Sequence, residues 1–484
     1  MCCILICGMI LSILQSILFW EKEPGISVVI FVIAFLLGFL YLMNKYKKIE
    51  NKKALILTVP IILLSLTYFI YHNSILQIMN TFVILILIII MCIYATKLKI
   101  KVQDFFVEII NVLAGTLESI NDVIDNFKTM LKKKEKSSES EKIEGMKKIF
   151  RSLVYAIPII VIVFMLLMSA DSIFANIFEG VIREFTNLFM AENFILFLLR
   201  SCLIILFFFL FSSFFVNIIM KDTLFNSENE EKIIEVKIEN MTINMILTIL
   251  NIFYLIFSII QFTSLFSRMN MSDFDYATYA RQGFFQLMMI SFINIVTIMI
   301  AKLNKESTSN YTKVMSILTL IFTMIILISA FFRMYLYEKA YGYTYLRLFV
   351  YYILATELLF ILPIGLWIFG KKIDILKCTI GIVTIMYVIL NFSNIESTIA
   401  KRNVDRYFEN QEENEIDLTY LLKNADIDAI SEIKRLLNAK NQKVVRRVKE
   451  YLLEEKEKLQ ETNKSWQETN LSEINAKKEL MNIN

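Results

Sequence analysis

The chain has 484 residues, of which 57% are hydrophobic and 20% are charged, and its formal net charge is +4. Ordinary globular chains are about 45–50% apolar, so a soluble fold of this length cannot bury this much apolar surface. The composition therefore excludes an ordinary soluble protein and indicates that a lipid bilayer is the solvent for most of the chain.

About eleven apolar runs are long enough to cross a hydrocarbon core of roughly 30 Å as helices. The first run has no basic segment before it and no small-residue cleavage site after it, which favours a first span over a removed signal peptide. The runs predict an all-α, polytopic transmembrane helix bundle. The predicted spans are 2–20, 26–43, 54–71, 75–94, 152–169, 194–219, 242–266, 284–301, 314–332, 347–369 and 375–392.

The runs and the segments between them divide the chain into five predicted parts. These are four N-terminal spans (1–94), a cytoplasmic amphipathic helix with a charged linker (95–151), a seven-span core (152–392), a soluble helical region (393–459) and a disordered tail (460–484).

The placement of lysine and arginine predicts the orientation of these parts. Alternate connections beginning with 44–53 hold 26 of these residues, whereas the other set of connections holds 7. The positive-inside rule places the basic set in the cytoplasm. We therefore expect a membrane protein with its N-terminus in the cytoplasm and, with eleven spans, its C-terminal region outside. One missed or merged span would reverse the side of that region.

The segment 102–131 combines an apolar seam with an acidic polar face. The seam has an unbroken heptad spacing, and the polar face from 103 to 127 carries no lysine or arginine. An anionic inner leaflet attracts basic helices, so the acidic face favours packing against another helix. That helix belongs to a second copy, to a partner, or to the ends of spans of the same chain; all three stay open. The seam residues are Phe106, Ile110, Leu113, Leu117, Ile120, Ile124, Phe127 and Leu131.

Several chemical functions leave no trace in the sequence. All six cysteines lie in apolar runs, which is typical of free buried thiols, and the single histidine, His72, makes a His/Cys metal site improbable. We find no nucleotide-binding glycine motif, no metalloprotease motif and no histidine-bearing triad, so we expect no cofactor. The basic loops follow the inner-leaflet pattern, and we expect no nucleic-acid partner.

Four polar-aromatic segments fall on the predicted outer side, although they are distant in sequence. They carry the patterns Ala-Asp-x-x-Phe from 170, Tyr-Ala-Arg-x-Gly-Phe-Phe from 279, Arg-x-x-Leu-Tyr-Glu-x-Ala-Tyr-Gly-x-Thr-x-x-Arg from 333 and Asn-x-Asp-Arg-Tyr from 403. With the segment 417–421 after them, these patterns resemble bacterial membrane proteins of the domain-of-unknown-function families numbered forty-one fifty-three and forty-one seventy-three. The resemblance covers roughly 150–440, and it implies a polytopic bacterial membrane protein with no established activity.

These segments supply the candidate binding residues. Their tyrosines also suit an aromatic belt at the membrane interface. Arg333, Glu338 and Arg347 can pair with Asp171, Asp273 or Asp275 and so lock the loops together. Alternatively, Arg281, Arg333 and Arg347 can bind an anionic head group through planar guanidinium groups. The candidate site residues are Asp171, Tyr279, Arg281, Arg333, Tyr337, Glu338, Tyr341, Arg347, Asp405 and Arg406.

Two charges lie inside predicted spans. A charged group near the centre of a membrane helix costs on the order of 3 kcal/mol on insertion scales, so it faces a polar cavity or another charge. Glu357 is near the middle of its span, whereas Arg200 is close enough to the outer end to snorkel. We predict that Arg200 and Glu357 meet within the bundle.

These observations favour a non-enzymatic function, namely recognition, sensing or scaffolding through a polar-aromatic site on the extracytoplasmic face. A secondary transporter or lipid translocase that uses Glu357 and Arg200 is one alternative. An outer-face transferase acting on a lipid-linked substrate is another, because such chemistry needs little more than carboxylates or arginines in a wet cleft.

Overall fold

The computed structural model describes the protein as helices joined by turns, with no strand in the described residues, and confirms the all-α fold class. It describes residues 1–96, 102–132, 192–220, 238–267, 283–304, 309–409, 417–424, 426–461 and 464–481, together with Ala156, Val163 and Ile483.

The α-helices of the described residues are numbered here in chain order. They are α1 (Cys2–Phe19), α2 (Ile26–Lys45), α3 (Thr58–Ile70), α4 (Ser74–Thr96), α5 (Phe105–Lys132), α6 (Glu192–Met220), α7 (Asn240–Ser267), α8 (Phe284–Leu303), α9 (Asn310–Tyr341), α10 (Tyr345–Ile368), α11 (Ile375–Phe392), α12 (Ile395–Glu409), α13 (Leu418–Asn424), α14 (Ile430–Lys434), α15 (Gln442–Glu461) and α16 (Leu471–Met481). Short 3-10 turns cover Lys52–Leu57, Val102–Asp104, Ile427–Ala429, Arg435–Asn438 and Trp466–Glu468.

Ten helices of the described part are long and apolar enough to cross a membrane, so the protein is a multi-pass membrane protein. Each matches a predicted span. The remaining predicted span, 152–169, lies outside the described residues except for Ala156 and Val163, and so does the predicted linker after 132. The membrane-spanning segments are Cys2–Phe19, Ile26–Lys45, Lys52–Ile70, Ser74–Thr96, Leu196–Met220, Asn240–Gln261, Phe284–Leu303, Asn310–Tyr341, Tyr345–Ile368 and Ile375–Phe392.

The chain divides into two compact units. Unit 1 comprises Met1–Phe69, Met79–Glu231 and Lys464–Thr469, and unit 2 comprises Ile70–Ile78, Lys232–Asn463 and Asn470–Asn484. Helix α4 therefore begins in unit 2 and continues in unit 1.

In unit 1, α1 packs along the length of α6 in the antiparallel direction. Gly8 lies against Ser212, where an added Cβ would overlap the serine hydroxyl. At the other end of the pair, the Arg200 side chain donates from Nε to Ser16 Oγ over 2.8 Å. Small residues thus let the two helices approach closely, which is how helices associate where lipid removes the hydrophobic drive between them.

Helix α5 packs on α6 mainly through residues outside its apolar seam. Asn217 Nδ2 donates to the Val112 carbonyl over 3.0 Å, and Gly115 lies directly against the Asn217 amide. The seam residues Phe106 and Ile110 remain 73% and 62% exposed. This contact therefore leaves the first part of the seam exposed, whereas the seam residue Ile120 is only 1% exposed. Glycine at 115 permits the backbone approach that large seam residues prevent, while self-association through 102–131 stays a prediction.

In unit 2, α7 and α9 run parallel to each other. Three side-chain pairs between them, Asn244–Thr312, Asn251–Thr319 and Gln261–Ser329, share one constant sequence offset of 68 residues. Helix α8 connects the two and runs in the opposite direction, as an up-and-down order of spans requires. The constant offset fixes the register of the two helices along most of their length.

The C-terminal helices α12 to α16 enclose a small apolar core of their own. The core includes Val404, Tyr407, Ile430, Ile433, Leu436, Val448, Leu452, Ala476 and Leu480. The last two belong to α16, so residues 471–481 form a packed helix where the sequence predicts a disordered tail. The Asn470 Oδ1 atom accepts from the Ser472 amide over 2.8 Å and so caps this helix, which polar composition alone does not reveal.

Successive connections between the helices of unit 2 lie at opposite ends of that unit. At the tail-side end, residues 70–73 and 342–344 contact the C-terminal helices. At the opposite end, the Asn304 side chain bonds to the Ile238 carbonyl, and Lys313 Nζ lies 5.7 Å from the Phe369 ring centre. This alternation agrees with the predicted order of loops; which end faces the cytoplasm stays a prediction.

Replacing Gly115 should separate α5 from α6. We expect Gly115→Leu to lower the stability by about 1–3 kcal/mol, because even a Cβ at 115 would lie only 2.5 Å from Asn217 Oδ1. The measurement is the thermal unfolding midpoint in detergent. Ala114→Leu is the matched control, since position 114 is exposed on the same helix. Equal midpoints for the two variants would contradict the contact.

Candidate functional site

The turn between α9 and α10 forms one wall of a large polar cavity. Gly342 ends α9 with φ of 76°, a left-handed backbone conformation that favours glycine. Its amide donates to the Glu338 carbonyl over 2.7 Å, which closes the last turn of the helix. An added Cβ would lie 2.6 Å from Asn403 Oδ1, so the glycine also makes room for α12.

Asn403 holds this turn through a pair of hydrogen bonds. Its Oδ1 accepts from the Tyr343 amide over 2.8 Å, and its Nδ2 donates to the Tyr343 carbonyl over 2.9 Å. Both backbone polar groups of Tyr343 are thus satisfied by one side chain. The pairing fixes the first C-terminal helix, α12, against the turn between two spans.

Arg347, in the first turn of α10, is the central cation of the site. Its side chain is only 8% exposed, and its guanidinium carbon lies 4.2 Å from the centre of the Tyr337 ring. Nη1 donates to the Gly342 carbonyl, whereas Nε is buried with no hydrogen-bond partner among the described residues. A buried donor without a partner costs about 1–3 kcal/mol, so an acceptor that reaches it would be bound favourably.

The cavity next to Arg347 has a volume of about 710 Å³. Arg406 and Arg447 also line it, and Arg406 Nη2 donates to the Ala340 carbonyl over 2.8 Å. Three guanidinium groups and several phenol rings therefore face one space. The lining residues are Ala340, Tyr341, Gly342, Tyr343, Thr344, Arg347, Asn403, Arg406, Tyr407, Asp417, Leu418, Thr419, Tyr420 and Arg447.

Behind the turn, Glu338 is 8% exposed and engages Tyr343 and Tyr351. Burial, together with the hydrogen bond and negative charge of Glu338, raises the pKa of the Tyr343 phenol to about 12. Tyr343 therefore stays a neutral hydrogen-bonding group at physiological pH.

The structure brings together four of the residues that the sequence singles out, namely Tyr337, Tyr341, Arg347 and Arg406. Three others are described but lie elsewhere. Arg333 lies against Gly283, where an added Cβ would be 2.9 Å from Nη1; Glu338 lies behind the turn; and Asp405 binds Arg435 over 2.6 Å. Asp171, Tyr279, Arg281, Asp273 and Asp275 lie outside the described residues, so the predicted loop-locking network stays a prediction.

Sequence analysis misses the contribution of the C-terminal helices to this cavity. Arg447 is one of many charged residues on the polar face of an amphipathic helix, and nothing in its pattern distinguishes it. Asp417 and Tyr420 belong to the family-like segment 417–421, which was a signal, but their place beside Arg347 depends on tertiary packing.

A second polar cluster joins residues 71–73 to the C-terminal helices. His72 Nδ1 lies 2.8 Å from Asp426 Oδ1, and the His72 amide donates to both carboxylate oxygens of Asp428 over 3.2 Å. Ser472 also donates to Asp428. No group of three histidine, cysteine or acidic residues in the described part of the chain has an arrangement that could hold a metal ion.

Tyr345 extends this cluster to Glu396 on α12. The Tyr345 hydroxyl accepts from Asn73 and donates to Glu396 Oε1 over 3.3 Å. Burial raises the pKa of the Glu396 carboxyl to about 9, and the charges of Asp426 and Asp428 contribute to the rise. Burial also raises the pKa of Asp428, against the opposing effect of its hydrogen bonds. Glu396 is therefore neutral at pH 7.

The two charges inside the membrane each have a serine partner. Arg200 donates to Ser16 in unit 1, and Glu357 accepts from Ser291 in unit 2. Because Arg200 and Glu357 lie in different units, their predicted meeting stays a prediction.

Comparisons with known proteins point to one family. The model of the family described as "Domain of unknown function (DUF4153)" matches residues 58–436. No curated protein and no solved structure matches the chain. The matched range contains all residues that line the cavity except Arg447.

The buried carboxyl of Glu396 should make stability depend on pH. Between its ordinary pKa of 4.5 and about 9, the unfolded chain ionises at this position while the folded chain does not, so the group's contribution to stability falls as pH rises. Each pH unit costs up to about 1.4 kcal/mol. The stability of Glu396→Gln minus that of the original protein should therefore increase between pH 5 and pH 8, by up to about 4 kcal/mol.

Chemical denaturation of the purified protein at the two pH values measures this difference. Glu409→Gln is the matched control, because Glu409 lies exposed at the end of the same helix. If Glu396→Gln changes stability equally at both pH values, Glu396 is not a neutral buried group.

Proposed function

The chain belongs to the DUF4153 family, and we propose that this integral membrane protein recognises an anionic ligand on the extracytoplasmic face of a bacterial cytoplasmic membrane. The ligand occupies the cavity beside Arg347. Recognition, sensing or scaffolding, and not catalysis, is the proposed role.

One observation carries the proposal: Arg347 is a nearly buried cation that lines a cavity together with two more arginines, and its buried Nε has no hydrogen-bond partner among the described residues. Three arginines and one carboxylate, Asp417, line this space, so its cations outnumber its anions and repel each other. An oxygen-rich anion would reduce that repulsion and accept from Nε, and hydrogen bonds between ionised partners are about twice as strong as neutral ones.

The aromatic side chains support the same function. Contact with the Tyr337 ring holds the Arg347 guanidinium in place, so little side-chain entropy is lost when a ligand binds. Tyr341 and Tyr420 supply further ring surface and hydroxyl groups along the cavity. The ligand that fits this lining carries a phosphate or carboxylate next to a polar group.

The position of the cavity favours a ligand that is attached to, or lies near, the membrane. Tyr341 is the last residue of one span and Tyr345 the first residue of the next, so the cavity begins where the two spans end. Lysine and arginine are concentrated in the connections at the opposite end, which supports the extracytoplasmic side for the cavity.

A non-enzymatic role is preferred because the carboxylate that lines the cavity is already engaged. Asp417 Oδ1 accepts from the Tyr420 amide over 2.9 Å, where it caps the short helix α13. A transferase acting on a lipid-linked substrate and a transporter using Glu357 with Arg200 are the alternative functions. Loss of turnover of a lipid-linked substrate in Arg347→Ala would favour the transferase.

Removing a cavity arginine should weaken binding of anionic probes. We expect Arg347→Gln and Arg447→Gln to reduce the affinity for phosphatidylglycerol and glycerol phosphate at least about tenfold, because each removes a charge-assisted hydrogen-bond donor. Native mass spectrometry of the protein in neutral-lipid nanodiscs measures both probes.

Arg446→Gln is the matched control, since Arg446 is the exposed neighbour of Arg447 and pairs with Glu450 over 3.0 Å. Binding that is the same in Arg347→Gln and the unaltered protein, or absent from the unaltered protein with both probes, would contradict the proposal.

The proposed sidedness can be measured directly with single cysteines in a cysteine-free background. An impermeant maleimide added to intact cells should label Lys449→Cys on the exposed face of α15, and should label Lys47→Cys only after lysis. The reverse pattern would place the cavity in the cytoplasm.

A further inference from the structure

Unit 2 contains a seam of buried polar side chains that runs through its membrane helices. At the end opposite to the tail, Thr312 donates to Asn244 Oδ1 over 2.6 Å. Two turns further on, Thr319 donates to Asn251 Oδ1 over 3.0 Å. Both pairs join α7 to α9; Thr312, Thr319 and Asn251 are buried, whereas Asn244 is partly exposed.

The seam then crosses to α8. Asn294 Nδ2 donates to Thr323 Oγ1 over 3.0 Å, and Asn294 Oδ1 accepts from the Tyr254 hydroxyl over 2.5 Å. Asn294 and Thr323 have no exposed surface. One helical turn from Asn294, Ser291 donates to Glu357 on α10. Every member except Glu357 and Tyr254 is a neutral amide or a hydroxyl of a small side chain.

Glu357 marks the end of the seam. Its side chain is 4% exposed. Toward the tail-side end, the next buried residues on α10 are Leu354 and Val350, and those on α8 beyond Ser291 are Leu287 and Phe284. These four side chains belong to one apolar cluster, which separates the carboxyl from the cavity beside Arg347.

The charged side chains of the surrounding helices lie toward the helix ends. They are Lys302 on α8, Lys313, Arg333, Glu338 and Lys339 on α9, Arg347 on α10 and Lys377 on α11. Tyr254 on α7 is the titratable side chain of the seam besides Glu357, and it donates to Asn294, one helical turn from Ser291. Ser291 donates to the Glu357 carboxyl.

Packing between the membrane helices does not by itself explain a carboxyl group at position 357. Hydrogen bonds between membrane helices contribute about 0.6 kcal/mol each, and a glutamine at 357 would accept from Ser291 equally well. An acidic group at a helix centre adds a cost that an amide avoids, and acidic groups in such places commonly bind and release protons.

We infer that Glu357 is a proton-binding site that exchanges its proton along the Asn294–Thr323–Thr319–Asn251 seam with the lysine-rich end of the bundle. The carboxyl is neutral when it holds the proton and becomes an anion when the proton leaves along the seam. The apolar cluster blocks proton exchange toward the tail-side end of the bundle. An open depression of about 560 Å³ lies at this end of the seam, and it is lined by Asn244, Thr248 and Tyr311 together with Met241, Met245 and Ile249.

This site is independent of anion recognition at Arg347, so either proposal stands if the other fails. The test is infrared spectroscopy of the full-length protein in lipid. The carbonyl band of a protonated carboxyl should lose intensity as pH is raised, should shift in frequency in D₂O, and should be missing from Glu357→Gln. A band that neither titrates nor shifts, or that persists in Glu357→Gln, overturns the inference.

The path is tested with variants along the seam. Asn294→Leu and the nearly isosteric Thr323→Val should slow the D₂O shift of the Glu357 band at least about tenfold. Gln261→Leu is the matched control, because Gln261 joins α7 to α9 through Ser329 near the tail-side end, beyond the seam. Thr323→Val keeps the test open if Asn294→Leu fails to fold. Unchanged exchange in a folded Asn294→Leu or Thr323→Val variant overturns the path.

Discussion

The constraint on which this structure depends is that a polar group inside a bilayer must find its partner within the protein. The amide of Asn217 bonds to a backbone carbonyl of α5, Arg200 bonds to Ser16, and Asn251 bonds to Thr319. Each of these contacts joins two helices that are distant in sequence. Polar side chains thereby specify which apolar helices are neighbours, a choice that hydrophobicity alone leaves undecided.

Hydropathy predicts the spans well because lipid acts on every residue of a helix in the same way. The last span is predicted and observed at 375–392. Faces and partners are harder to predict. For α5, the heptad pattern identifies the apolar face, but the contact depends on Gly115 fitting the Asn217 amide of a helix about 100 residues away. Tyr341 and Arg347 are predictable from their segment, whereas Arg447 reaches the cavity through the folding of the C-terminal helices.

The two proposed sites in unit 2 differ in how they meet water. The cavity beside Arg347 lies at the end of two spans and is built partly from C-terminal helices, which contribute Arg406 and Arg447 from outside the spans. Glu357 lies among spans and has a neutral seam on one side and Leu354 on the other. The apolar layer between them lets one helix, α10, carry an anion site and a proton site whose charges do not neutralise each other.

The fit between Gly342 and Asn403 has an evolutionary consequence. A side chain at 342 would occupy the space of the Asn403 amide and would also strain a backbone at φ of 76°. Neither position can therefore change alone without breaking the two hydrogen bonds that Tyr343 makes to α12. Across relatives of this chain, the two positions should covary: where glycine is lost at the first, asparagine should be lost at the second.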